Sequence, residues 1–284
     1  MLKHTFCHLP GVGAAIEKRL WDRGVLSWDD FLARGGEPGC GVCRTLRGYV
    51  EESVSALHSG DFQYFTARLP SKEHWRLFPH LKDRAAYIDI ETNGYSGPAG
   101  FITAVSLYDG VSVRAYVRGK NLDAFVDDLA GYRLIVSYNG RAFDIPFIER
   151  EFGVRLNHAH VDLRYLLSDL GFKGGLKGCE KGFGIERGQL EGLDGYFAVL
   201  LWQDWARKKN EKSLETLLAY NVQDVLSLEP LMIGAYNMKV KATPFAGLLE
   251  LDAPESRVNP FRPDQRTIRR VASEREYTIA GAEM

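Results

Sequence analysis

The 284 residues carry 36 Lys and Arg against 37 Asp and Glu, for a formal net charge of -1, with 45% hydrophobic, 12% aromatic and 26% charged residues. This is an ordinary globular composition, long enough for one large domain or two smaller ones, and it excludes a global electrostatic footprint for nucleic acid, so any such binding must rest on local patches. No run of about 18 apolar residues and no signal-peptide succession is present, and the four cysteines Cys7, Cys40, Cys43 and Cys179 are too scattered for a disulfide framework; a cytoplasmic protein with reduced thiols and no membrane partner is expected.

The chain opens on Leu9-Pro10-Gly11-Val12-Gly13, a turn leading into a helix with Ile16, Leu20 and Trp21, which Gly24 stops before Ser27 caps a second helix. This resembles a helix-hairpin-helix module, a likeness implying that the backbone N–H groups at Gly11 and Gly13 meet a nucleic-acid phosphate without reading sequence. A small helical bundle with an ordinary glycine turn accounts for the same residues. Cys40-Gly41-Val42-Cys43 has the spacing of half a zinc or iron–sulfur site but lacks a second CxxC or HxxxH, so no metal cluster is expected there. An all-helical region over 1–70 is expected, then a linker over 71–83 from which Trp75, Leu77 and Phe78 dock onto the next domain.

From residue 84 the pattern changes. In Ala85-Ala86-Tyr87-Ile88-Asp89-Ile90-Glu91-Thr92 the residues alternate, so on a strand Ala86, Ile88 and Ile90 point one way and Tyr87, Asp89 and Glu91 the other. Two more strands are expected at 101–108 and 111–117, joined by Asp109-Gly110, then a helix marked by Leu122, Phe125, Val126 and Leu129, and a returning strand at 133–138. That succession resembles the opening of a ribonuclease H-like sheet, and the fold class expected over 84–240 is α/β, a mixed five-stranded sheet flanked by helices. Helices are expected around 143–152, 162–170, 195–209 and 212–236, and a Gly- and Lys-bearing surface loop at 171–188. His158 and His160 are expected in a surface turn, with Asp162 capping the next helix. Residues 241–284 are a tail that packs back or stays mobile.

Asp89 and Glu91 share one face, about 6 to 7 Å apart along the strand. Either this is the wet face of a half-buried strand or the carboxylates hold a divalent cation. Asp144, within Asn139-Gly140-Arg141-Ala142-Phe143-Asp144, reads as a helix cap or as a further ligand. Tyr220 and Asp224 are four apart and lie beside a stripe of Leu214, Leu218, Val225 and Met232. An aspartate there is unfavourable unless paired or bound to metal, and its own helix offers no Lys or Arg at the (i, i+3) or (i, i+4) positions.

The three segments together, D-x-E, N-x4-D and Y-x3-D, resemble the tyrosine subclass of the DEDD exonucleases, and over residues 75–236 their wording resembles the YprB-type predicted exonucleases. That resemblance implies a 3′ to 5′ exonuclease acting on single-stranded DNA or RNA with two Mg2+ or Mn2+ ions. Asp89 would bridge the ions, Glu91 and Asp224 would hold the one that activates water, and Asp144 would support the second. Tyr220 would orient the attacking water, and Asn139 would contact the terminal nucleotide. Phe143 would offer an aromatic surface or else sit in the core. The competing expectation is a catalytically silent module that binds nucleic acid or a protein.

Overall fold

The β-rich run at 85–92 becomes the middle of a sheet. In the computed structural model, which describes residues 1–34 and 41–282 and the side chains of 1–34 and 46–274, the chain begins with helices α1 (Ala14–Asp22), α2 (Trp28–Ala33), α3 (Gly41–Ser59), α4 (Phe62–Arg68) and α5 (Phe78–Leu81). Then come β1 (Ala85–Thr92), β2 (Ile102–Tyr108), β3 (Val113–Val117), α6 (Phe125–Leu129), β4 (Leu134–Ser137), α7 (Asp144–Phe152), β5 (Ala159–Asp162) and α8 (Leu163–Asp169). Helices α9 (Gly175–Gly182), α10 (Gly195–Lys208), α11 (Glu211–Lys241) and α12 (Gln265–Ala282) complete it. The sheet has five strands in the order β3-β2-β1-β4-β5, antiparallel on the β2 side of β1 and parallel on the β4 side, the mixed ribonuclease H-like arrangement.

Both faces of β1 are covered. Ala86, Ile88 and Ile90 pack with Leu122, Phe125, Leu129 and Ile148 under α6 and α7, and Tyr87 and Tyr108 pack on the other face with Val225 and Leu228 of α11. The face carrying Asp89 and Glu91 is therefore not a wet face but the one that α11 crosses. At the β2–β3 hairpin Gly110 takes φ +88°, which a side chain would disfavour. The Asp109 carboxylate accepts from Val111 N and Ser112 N at 3.0 and 2.8 Å to fix the turn.

Several segments depart from the sequence expectation. The linker expected at 71–83 is helical, Ser71–Leu77 being a 3-10 helix followed by α5, while Trp75, Leu77 and Phe78 dock as expected and are buried together with Leu81. The stretch 171–188 is not a plain surface loop, since it contains α9 and two buried charged residues, Glu180 and Arg187. His158 sits half-buried in a bend just before β5, but His160 does not lie in a turn. His160 lies in β5 and its ring nitrogen is 2.8 Å from Ser137 Oγ, because a fifth strand is needed to cover the β4 edge. Beyond 241 the chain packs back: Phe245 is buried 4.4 Å from the His4 ring and 5.5 Å from the Trp21 ring, and Val271 of α12 is buried in a cluster with α10. Cys40 and the Cys43 side chain lie outside the described residues. Among the described residues no helix is long and apolar enough to cross a membrane.

One apolar cluster runs from Leu2, Trp28 and Phe65 through Trp75, Phe78 and Tyr236 to Phe245, so the helical region and the sheet region share a core. A polar clasp accompanies it: buried Glu17 of α1 accepts from Thr5 Oγ1 at 2.8 Å and pairs with Arg76 Nη2 at 2.7 Å. Each large apolar side chain uncovered there forfeits about 1.5 to 3 kcal/mol, and an Arg76 without Glu17 is a buried charge with half its partners. Residues 71–284 alone are therefore expected to show no cooperative unfolding transition in a circular-dichroism melt, whereas the full chain shows one.

Candidate active site

Two elements far apart in sequence meet at one point. Asn221 of α11 donates from Nδ2 to Asp89 Oδ2 at 2.7 Å and to the Asp89 carbonyl at 3.2 Å, which sets α11 against β1. Tyr220 and Asp224, one helical turn apart, then stand over the strand positions of Asp89 and Glu91. Asp89, Glu91 and Asp224 each offer an oxygen, and the three oxygens lie within 4.8 Å of one another.

Asp144 reaches the same place from the first turn of α7. The parallel pairing of β1 with β4 extends only from Ala85–Leu134 to Tyr87–Val136, which leaves the Ile90 N–H without a strand partner on that side. Asp144 Oδ1 accepts it at 3.1 Å. Asp144 therefore both ties α7 to β1 and faces the cavity, but it stands outside the close trio. A cavity of about 460 Å3 is lined by all four carboxylates together with Tyr220, Asn139 and Phe143. Phe143 is 39% exposed at its mouth, with its ring 4.9 Å from Phe147, so it is a surface aromatic rather than a core residue.

Asn139 sits in the left-handed region at φ 66°, an uncommon conformation for a residue with a side chain. It is held by Asp162, whose carboxylate accepts from Asn139 N at 2.8 Å and Arg141 N at 3.0 Å, and Arg164 Nη1 bonds its side-chain oxygen. At Gly140 a Cβ would lie 2.1 Å from Ser137 Oγ, so the turn admits only glycine there. Gly11 and Gly13 are elsewhere: with His8, Pro10 and Arg68 they line a separate cavity, where Gly11 takes φ +75° and Gly13 caps α1 with its backbone alone.

Burial drives the electrostatics. It pushes the Asp89 carboxyl well up, helped by the charges of Asp224, Asp144 and Glu91. Burial and the Asp224 charge do the same to Glu91. Asp144 is raised by burial to about 7, against the pull of the Ile90 N–H, and Asp224 by burial to about 6, against the pull of Arg187. Tyr220 is raised above its ordinary value by burial and the Asp224 charge, so its hydroxyl keeps its proton. Clustered carboxylates that resist ionisation while no cation lies between them, with oxygen the only donor in the trio, fit a hard divalent ion such as Mg2+ or Mn2+.

The sequence reading missed the positive groups at this site. Arg187 Nη1 donates to both Glu180 oxygens at 2.8 and 2.7 Å, its Nη2 bonds Asp224 Oδ1, and its guanidinium carbon lies 5.3 Å from the Tyr220 ring centroid. Lys177 Nζ lies 5.5 Å from the same ring. Asp224 is therefore paired, but from α9 and the turn after it rather than from its own helix. The available signal was that Glu180 and Arg187 are flanked by Cys179, Phe183, Ile185 and Leu190, a pattern of burial rather than of a solvated loop.

Residues 86–236, more than half of the chain and all of the cluster, match the model of a family described as the RNase_H superfamily. Among solved structures the chain is similar to the family B DNA polymerase from the hyperthermophilic archaeon Pyrobaculum calidifontis, with 17% identity and a TM-score of 0.43. That match covers 59% of this chain and 27% of the polymerase. No curated protein matches the sequence.

The charges lead to two expected outcomes. Folding favours the protonated forms of Asp144 and Asp224, so their contribution to stability is full below about pH 4 and is lost as pH rises through about 6 and about 7. The melting temperature of the protein in EDTA should fall across that interval, and Mg2+ or Mn2+ should restore it at the upper end; calorimetry that detects no response to either ion there contradicts a metal site. Arg187→Gln leaves Glu180 buried without its partner and should cost about 3 kcal/mol in urea unfolding. Arg187→Gln with Glu180→Gln should recover much of that loss.

Proposed function

The chain belongs to the ribonuclease H superfamily, and from that membership we propose that it is a divalent-metal-dependent nuclease that removes nucleotides from the 3′ end of single-stranded DNA or RNA. The observation that carries the reading is the convergence of Asp89, Glu91 and Asp224 oxygens within 4.8 Å, from a strand and a helix that share no local sequence. The resemblance of the three motifs to the tyrosine-subclass DEDD exonucleases supports the polarity and the use of two ions.

Asp89, Glu91 and Asp224 would hold the cations, with Asp144 beside them. The chemistry that bound divalent ions supply in such a site is a lowered water pKa and stabilisation of the entering and leaving oxygens of phosphoryl displacement. Tyr220, protonated throughout the working range, serves as an O–H donor that orients the attacking water and not as a base. Arg187 bonds Asp224 Oδ1, so Oδ2 would be the oxygen left for a cation. Asn139, fixed in its left-handed turn, and Phe143, exposed at the mouth, would contact the terminal nucleotide. The hairpin at Gly11 and Gly13, with Arg68 in the same cavity, offers a sequence-independent phosphate contact further along the strand.

A second reading has one observation in its favour. Because Arg187 already compensates Asp224, the cluster has some internal neutralisation, as a silent nucleic-acid-binding module would need. Digestion of 5′-labelled single-stranded DNA and RNA with Mg2+ or Mn2+ separates the two. A ladder shortening from the 3′ end is expected, and binding without cleavage in either ion would establish the silent module instead.

Asp89→Asn should abolish cleavage, by at least about a thousandfold in turnover, while raising the melting temperature in EDTA through relief of carboxylate repulsion. Tyr220→Phe should slow turnover less, about ten- to a hundredfold, with little change in KM. A Tyr220→Phe loss as deep as that of Asp89→Asn would move Tyr220 from water orientation into an indispensable role.

A further inference from the structure

Beyond the carboxyl end of β5 lies a second cavity, of about 270 Å3, whose walls include Lys72, Trp75, Arg141, Asp162, Tyr165 and Asp169. It stands beside the carboxylate cavity for a topological reason. Strands β1, β4 and β5 run parallel, so their carboxyl ends lie at one end of the sheet, the end where ligands of open α/β sheets bind. One turn serves both cavities, since Asn139 lines the first and Arg141 the second, and Asp162 fixes the two backbones together.

The charges of this wall are unequal in their commitments. Asp162 is satisfied by the N–H groups of Asn139, Arg141 and Arg164, and Asp169 is paired with Lys239. Lys72 and Arg141 are exposed, and among the described residues neither side chain makes a hydrogen bond or a close ion pair, the Lys72 charge reaching Asp169 only at longer range. Tyr165 is 52% exposed at the same rim, and Trp75 forms a buried floor. Two exposed cations that make no hydrogen bond, beside an open aromatic face, match the chemistry of a nucleotide, a phosphate next to a base.

We propose that this cavity is the subsite for the nucleotides that precede the one being removed, with Lys72 and Arg141 on phosphate oxygens and the Tyr165 ring stacked on a base. The inference rests on the nuclease reading and adds to it a substrate requirement. A strand must reach past the carboxylates to engage Tyr165, and its base must be unstacked to do so, which selects single-stranded ends without selecting sequence.

The test uses the full-length chain carrying Asp89→Asn, so that bound strands survive, and fluorescence anisotropy of 5′-labelled oligothymidylates of two and eight nucleotides across a salt series. The eight-mer is expected to bind the Asp89→Asn protein more tightly than the two-mer. Adding Lys72→Ala with Arg141→Ala should reduce the salt slope for the eight-mer by about 1.4, two phosphates at about 0.7 each for single strands, and adding Tyr165→Ala should weaken eight-mer binding about tenfold. Unchanged eight-mer affinity and slope in both variants overturns the subsite. So does loss of thymidine monophosphate binding with unaltered strand binding, which assigns the cavity to a free nucleotide. Hydrolysis of p-nitrophenyl thymidine 5′-phosphate by the wild-type chain reports on the carboxylate site alone, so a failed subsite and a failed nuclease reading give different results.

Discussion

Burial of like charges at the crossing of α11 over β1 is the constraint on which the rest of the structure turns. Carboxylates from positions more than a hundred residues apart are brought within 4.8 Å in a setting where desolvation disfavours each of them. A polar lock sets the crossing. Asn221 holds both the carbonyl and the carboxylate of Asp89, and the shared core of Val225, Leu228 and Tyr87 fixes the helix on either side of that lock.

The strand, the hairpin and the helical stripe were legible in the sequence because each is written in local periodicity. Ala86, Ile88 and Ile90 against Tyr87, Asp89 and Glu91 is a period of two, and Tyr220 to Asp224 is one helical turn. The motifs were legible for the same reason, since each is short and held by a single element or turn. What local reading could not supply was the partner of Asp224. Arg187 lies on a turn whose own spacing gives no hint of direction, and only the packing of α9 against α11 brings its guanidinium to that carboxylate. In the 71–83 segment the docking of Trp75 and Phe78, which pack against Tyr236, was legible from their apolar character, but the short helices were not, because Pro70 and Pro79 are punctuation in a linker and equally in a run of short helices.

The N-terminal region is bound to the sheet by more than proximity. Glu17 and Arg76 are both buried and pair across the junction, with Glu73 as the second partner of Arg76, so the hairpin at Gly11 and Gly13 is tied to the segment that packs against β5 and α8. A phosphate contact at that hairpin would then have a defined register with the carboxylate cavity, which a flexible tether would not provide. The apolar cluster that makes the helical region inseparable from the sheet also sets the distance between two places where a strand is proposed to bind.

The charges near the cluster bear on how many ions it suits. Asp89, Glu91, Asp144 and Asp224, with Glu180 behind them, carry five formal negative charges, and Arg187 and Lys177 carry two positive ones. A single divalent ion would leave the cavity negative and repel a phosphodiester. Two would leave it with about one positive charge, which a phosphodiester would balance. Without Arg187 the same two ions would bring the carboxylates only to neutrality, and the phosphodiester would arrive with nothing to offset it. If the cluster does hold two ions, Arg187 would do more than fill a hole beside α11: a buried cation that cannot be deprotonated would supply the charge that lets an acidic cluster accept an anionic substrate.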